Sequence, residues 1–291
     1  MKNKPFIVVV VVALLCWGRM ATAAEAWKLL FSLQSDKKGV ALSHPAGLYV
    51  DAQSERYYVL DTGHNRVISF GRGGELLQAF TAGGALAKPI AMVKKGDGRL
   101  LVVEKGKGTL TEIDVKSKSV VPQPLQDQGR MVFPQRIKVS DQKFYVLDKV
   151  SGNILVLDSN MTVTARLSCP DCRAGYADFS VKGGTVYALP MMATAVHTFD
   201  AAGTLTGSIT LSSPPEFPVS LALHPDGGFL VLDRHANTVA HYQADGRLKG
   251  RHLGPGHKGG GLSYPAEIQM DPWGRVCIVD EGNGRVSVYQ P

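Results

Sequence analysis

Six stretches of this chain repeat one grammar, and the length of the period constrains the fold more than any other feature of the sequence. The repeats begin at Pro45, Pro89, Pro134, Tyr176, Pro218 and Pro265, so successive starts lie 42 to 47 residues apart. Each opens on a short alternating strand, turns, and closes on an apolar strand that ends in an acid. Those acids are Asp61, Glu104, Asp148, Asp233 and Asp280, while the degenerate fourth repeat has Pro190 at that place. Beyond each acid the register holds. Six residues on stand Val67, Leu110, Ile154, Val196, Val239 and Val286, and nine residues on stand Phe70, Ile113, Leu157, Phe199, Tyr242 and Tyr289. That spacing predicts a third strand, entered through a Gly/Asn-rich hairpin such as Thr62-Gly63-His64-Asn65. A turn at Gly74, Gly203 or Gly246 then leads to a fourth, outer strand. A period of this length with four strands is that of a propeller blade.

The two ends agree with a closed ring. The sixth repeat stops after its third strand, Arg285 to Gln290, and an orphan apolar segment, Trp27 to Leu33, precedes the first repeat. Pairing the two completes the last blade and removes the open edge. The expected fold is therefore all-β: a six-bladed β-propeller of four-stranded blades, forming one domain over residues 25–291 and closed by its N-terminal strand.

Residues 1–23 read as a signal peptide. Lys2 and Lys4 precede an apolar run from Phe6 to Leu15, and Ala21-Thr22-Ala23 supplies the small-x-small cleavage pattern. The run is shorter than the roughly 20 residues that a permanent span requires, so no transmembrane anchoring is expected. Cys16 raises a lipid anchor as an alternative, but Leu15 stands where a small residue is wanted. Export to the periplasm or beyond is the expectation. Losing Lys2, Lys4 and Arg19 lowers the formal charge from +7 to +4. The remaining basic residues are dispersed, without the blocks or aromatic interleaving of a nucleic-acid groove, and nucleic acid is not an expected partner.

Pro45 to Phe70, Phe217 to Tyr242 and Tyr264 to Tyr289 resemble NHL repeats. The likeness lies in the Pro-x-Gly start, here Pro45-Ala46-Gly47-Leu48-Tyr49-Val50-Asp51, and in the ending Asn65-Arg66-Val67-Ile68-Ser69-Phe70. It runs over most of the chain after the leader and is weakest in the fourth repeat. A six-bladed disc closed by its N-terminus is what the resemblance implies for the fold. Related propellers include zinc lyases whose histidines come from different blades, and calcium-dependent lactonases that use inner-strand Glu, Asn and Asp. The resemblance leaves the site to be argued from residues, because one fold hosts many activities.

The repeat acids read as hairpin caps rather than a carboxylate ring. The positions two residues after each start are more telling: Gly47, Ala91, Arg136, Asp178, Ser220 and Glu267. Each is followed by an apolar residue, so this position faces the channel, and Arg136, Asp178, Ser220 and Glu267 form a candidate ligand-binding set. Solvation of a channel mouth is the plain alternative. Glu267 and Asp178 match two of the lactonase ligands, without the asparagine. The eight histidines fall at different registers and predict no convergent trio, so no cofactor is expected, with Ca or Zn as minor alternatives. Cys169 and Cys172, in Cys-Pro-Asp-Cys, are expected to form a disulfide in an oxidising compartment. A redox motif remains an alternative, and Arg173 stands where a haem motif requires His. Cys277, in an apolar run, reads as buried.

The functional expectation is a non-catalytic exported scaffold that binds a protein partner, such as an exported redox protein or an envelope assembly. Its contact loops would be the Gly-rich segment 251–262 and the segment 169–176, each of which also reads as a plain linker. The alternative is a metal-dependent hydrolase or lyase working at the channel mouth.

Overall fold

A computed structural model describes residues 27–169, 172, 174–192 and 194–291. Residues 1–23, read above as a signal peptide, lie outside the described residues. No helix among them is long and apolar enough to cross a membrane.

The described residues form a six-bladed propeller of four-stranded antiparallel sheets, with helix limited to three-residue 3₁₀ turns. Blade 1 comprises Pro45–Asp51, Arg56–Asp61, Arg66–Gly71 and Leu76–Phe80. Blades 2 to 5 repeat that order, their inner strands being Pro89–Lys94, Pro134–Ser140, Tyr176–Lys182 and Pro218–Leu223. Blade 6 takes Glu267–Met270, Val276–Asp280 and Arg285–Gln290 from the C-terminus. Its outer strand is Lys28–Leu33, which runs antiparallel to the last strand with Leu33 opposite Val286 and Lys28 opposite Gln290. The expected ring closure is present.

Burial explains why the second strands carry unbroken apolar runs. Leu100–Glu104, Phe229–Asp233 and Val276–Asp280 are buried along their whole length because both faces meet neighbouring blades. The outer strands alternate between covered and exposed residues, as in Leu248–His252. The core is thus divided into clusters between adjacent blades. One joins Val59, Tyr57 and Ile68 of blade 1 to Cys277, Val279 and Val288 of blade 6. Cys277 is fully buried, as expected, and burial pushes its thiol well above the ordinary range.

The repeat acids are clamps. Asp61 accepts a hydrogen bond from the backbone N–H of Ser43 (2.7 Å), Glu104 from Ala87 (2.6 Å) and Asp148 from Phe133 (2.8 Å). Asp233 accepts from Glu216 (2.8 Å) and Asp280 from Ser263 (2.7 Å). Each carboxylate ties the end of the second strand to the loop entering the inner strand of its own blade. Arg66 and Arg285 pair with Asp61 and Asp280 at 2.6 and 3.0 Å, so the recurring Arg belongs to the same corner. Blade 4 has no acid there. Its entering loop carries the expected Cys169–Cys172 disulfide instead, with Cys169 Sγ 3.6 Å from His197 Nδ1.

The Gly-rich segment is not a plain linker. Gly256 N–H bonds the Leu262 carbonyl (2.9 Å), and Leu262 N–H bonds that of Gly254 (2.8 Å). Tyr289, Arg285 and Asn283 then donate to the carbonyls of Gly260, Gly261 and Gly256 at 2.8, 2.7 and 2.9 Å. The loop is a clasp over the closing blade.

Candidate functional site

In blades 1 to 5 a register shift falls between the first residue of the inner strand and the residue two places on, as between Pro134 and Arg136. Such irregularities re-aim a side chain. The shift places Gly47, Ala91, Arg136, Asp178 and Ser220 at one level of the channel, joined by Glu267 of blade 6.

Blades 3 to 6 fill that level with a bonded polar network. Asp178 Oδ2 accepts from Ser220 Oγ (2.6 Å) and from the Leu221 N–H (3.1 Å) of blade 5. Ser220 Oγ in turn accepts from the Ile268 N–H of blade 6 (3.1 Å). Glu267 Oε2 accepts from the Leu48 N–H of blade 1 (3.2 Å). Arg136 reaches across the channel to donate to the Ala266 carbonyl (3.3 Å). Its Nε and Lys138 Nζ both stand 3.8 Å from Asp178 Oδ1. The polar residues therefore stitch each inner strand to the next, while the small residues of blades 1 and 2 leave them room. A Cβ on Gly47 would meet the Ile90 carbonyl oxygen at 2.2 Å and Glu267 Oε2 at 3.4 Å, which explains glycine there.

Asp178, Ser220 and Glu267 are buried. Burial raises the Glu267 carboxyl above its ordinary range, against the pull of Arg136 and Lys138. A carboxyl raised in the folded state stabilises below its unfolded value of about 4.5, and that contribution is lost as pH rises through the folded value. Glu267→Gln keeps the acceptor for Leu48 and removes the buried charge. The variant is expected to match the parent near pH 4.5 and to equal or exceed its stability at pH 8, read as the urea midpoint at each pH.

Protein cations and interblade bonds already take up most of the oxygens at this level. Asp178 Oδ1 already faces two cationic side chains, and the remaining oxygens named above are engaged by N–H and O–H donors. A metal would have to displace Arg136 and Lys138 and break the contacts between blades.

Above the network opens a funnel of about 670 Å³. Lys105, Arg136, Lys149 and Arg234 bring four cations to its wall, Glu281 one carboxylate, and Phe133, Phe217, Met191 and Met192 an apolar surface. Of the four residues expected to bind a ligand, Arg136 lines this funnel, and the other three lie beneath it. Sequence reasoning missed the rest of the wall, although a signal was present. The residue directly after each second strand is Thr62, Lys105, Lys149, Met191, Arg234 or Glu281, a position with no common chemistry beside an almost constant acid. Arg234 pairs with Glu281 at 2.7 Å and lies 5.8 Å from the Tyr264 ring.

The fold is shared with known proteins. A streptogramin B lyase structure superposes with a TM-score of 0.65 at 13% identity, over 89% of this chain and 96% of that one. A gluconolactonase from Xanthomonas campestris gives 0.67 at 15%, over 89% and 87%. A putative gluconolactonase gives 0.67 at 13%, over 91% of each chain. The chain is a six-bladed propeller. At these identities the likeness establishes architecture alone. No family model matches the sequence, and no curated protein is similar to it in sequence.

Two of the histidines come together with an acid. His224 and His241, assigned to unrelated registers, stand with ring centroids 4.5 Å apart beside Asp226. A turn residue at the end of the inner strand and a third-strand residue of blade 5 meet here, which spacing alone does not reveal. Cys169, Cys172 and His197 also cluster, but the disulfide occupies both sulfurs.

Proposed function

We propose that the protein is an exported, NHL-type propeller enzyme of the hydrolase or lyase class, taking an organic anion with an apolar body into the channel-mouth funnel. The observation that carries this reading is the wall itself: four cations and one carboxylate over aromatic and methionine surface. Cations at the base of a concave apolar site hold a carboxylate or a developing oxyanion, and the apolar side accepts the organic body. In this reading Arg136 and Lys149 bind the charge, and Glu281, paired with Arg234, moves the proton. The structural relatives named as a streptogramin B lyase and a gluconolactonase support that class. No step is assigned to a metal.

Thermal shift against a panel of aliphatic and aromatic carboxylates, lactones and esters tests the reading, followed by turnover assays. The double variant Lys105→Ala/Lys149→Ala, exposed at both positions, is expected to keep its Tm and to lose about tenfold or more in affinity, each lost charge contact being worth about 1 kcal/mol. Glu281→Gln is expected to bind and not turn over. Absence of any ligand among these classes would sink the reading.

A second reading, a protein-binding scaffold, draws on a different observation. Met192 is 82% exposed and Val150 72%, with Phe217 and Tyr264 also exposed. Apolar surface of this extent around a rim suits a macromolecular partner. Crosslinking in the native compartment that captures one partner through Met192 would favour it.

A further inference from the structure

We propose that His224, Asp226 and His241 form a binding site for a divalent transition metal on blade 5, away from the funnel. The turn His224-Pro225-Asp226-Gly227 follows the inner strand, closed by Gly227 N–H to the His224 carbonyl (3.0 Å). It lies at the end of the strand opposite Phe217 and Pro218, which line the funnel. The site therefore stands apart from the proposed function.

Three donors converge there. His224 Nδ1 lies 2.8 Å from Asp226 Oδ1, and His241 Nε2 lies 3.6 Å from Asp226 Oδ2. Taking one donor atom from each residue, the three fall within 4.8 Å of one another. Zinc bound by nitrogen and carboxylate oxygen at about 2.0–2.2 Å sets such donors roughly 3–3.5 Å apart, so small side-chain shifts suffice. Two imidazoles and one carboxylate favour zinc, cobalt, nickel or copper over calcium and magnesium, which take oxygen ligands. Three protein ligands leave coordination positions open for water.

A second observation points to a ligand. His241 Nε2 is buried with no hydrogen-bond partner, although His241 stands against polar groups. An orphaned buried nitrogen is costly, and coordination would satisfy it. Its surroundings also contain a stand-in for the ion. Lys249 Nζ, on the outer strand, sits 2.6 Å from Asp226 Oδ2, with its side chain 40% exposed. The ammonium occupies the place of a cation and can swing into solvent when one binds. Another imidazole of the blade, His252, stacks on Trp27 at 4.4 Å and lies 5.9 Å from the His241 ring.

The lysine makes the proposal testable in both directions. Tag-free protein is titrated with Zn²⁺ by calorimetry and with Co²⁺ by visible absorption. The expected result is one metal per chain, with cobalt bands of a nitrogen–oxygen site. His224→Ala and His241→Gln are each expected to weaken binding at least tenfold. Lys249→Met is expected to tighten it by about tenfold, because the competing cation is gone. Since His241 is buried, circular dichroism confirms folding of its variant, and His224, on a turn, serves as the second probe. Absence of stoichiometric binding overturns the proposal. So does binding that survives His224→Ala in a folded protein, or that is unchanged in Lys249→Met.

Discussion

A chain beginning at Gln34 is expected to lose its cooperative fold, while one beginning at Glu25 keeps it. The strand Lys28–Leu33 completes blade 6, pairing Leu29 with Tyr289, Phe31 with Val288 and Leu33 with Val286. Its removal uncovers the edge of Arg285–Gln290 and opens the ring between blades 6 and 1. Leu33 is fully buried, and Phe31 lies against Tyr57 and Arg275. Losing a buried leucine side chain costs about 2–5 kcal/mol, and the half-buried Phe31 adds less. These losses together with an unpaired strand edge approach the lower end of the stability of a typical domain, about 5–15 kcal/mol. Thermal melts followed by circular dichroism, with sizing by gel filtration, distinguish the two chains. A peptide of residues 27–33 added in trans is expected to restore part of the transition by adding a strand to the open edge. A truncated chain that melts within a few degrees of the longer one would show that the ring does not depend on this closure.

Asp178→Ala is expected to cost about 3–5 kcal/mol, the range for removing one partner of a buried ion pair. The carboxylate accepts from Ser220 Oγ and Leu221 N–H, and it faces Arg136 and Lys138. Without it, two cations lose their nearest acid and two donors between blades 4 and 5 lose their acceptor. Urea denaturation measures the loss, with an unchanged m-value indicating that the unfolded state is the same. Asp178→Asn retains an acceptor for Ser220 and Leu221 and is expected to fall between the parent and Asp178→Ala. A cost below about 1 kcal/mol for the alanine variant would mean that water solvates this level of the channel, and that the network does not join the blades.

These two effects mark how far the sequence is legible. The blade period, the strand order and the closing N-terminal strand follow from patterns local to each repeat, since a strand's apolar run and its turn residues report on neighbours a few positions away. Asp61, Glu104, Asp148, Asp233 and Asp280 read as caps of the hairpin that follows each of them, and recurrence marked them as structural; their clamp partners, 15 to 18 residues upstream, came only from the fold. The disulfide was legible because Cys169 and Cys172 are close along the chain.

The tertiary structure decided what lies between blades. Arg136, Asp178, Ser220 and Glu267 were recognised as one level of the channel, but the exposure of Arg136 to the funnel and the burial of the other three depend on contacts spanning 42 to 219 residues. The funnel wall required the ring to be closed, because Lys105, Lys149, Arg234 and Glu281 belong to four repeats and meet only around the axis. His224 and His241 fall at different registers in the sequence, and only the packed blade brings their rings together. The Gly-rich segment read equally well as a linker, since its glycine carbonyls are held by Asn283, Arg285 and Tyr289 more than twenty residues away. Periodicity records which face of a strand is covered. It carries no record of which side chains from different repeats converge, and in a ring those convergences make the site.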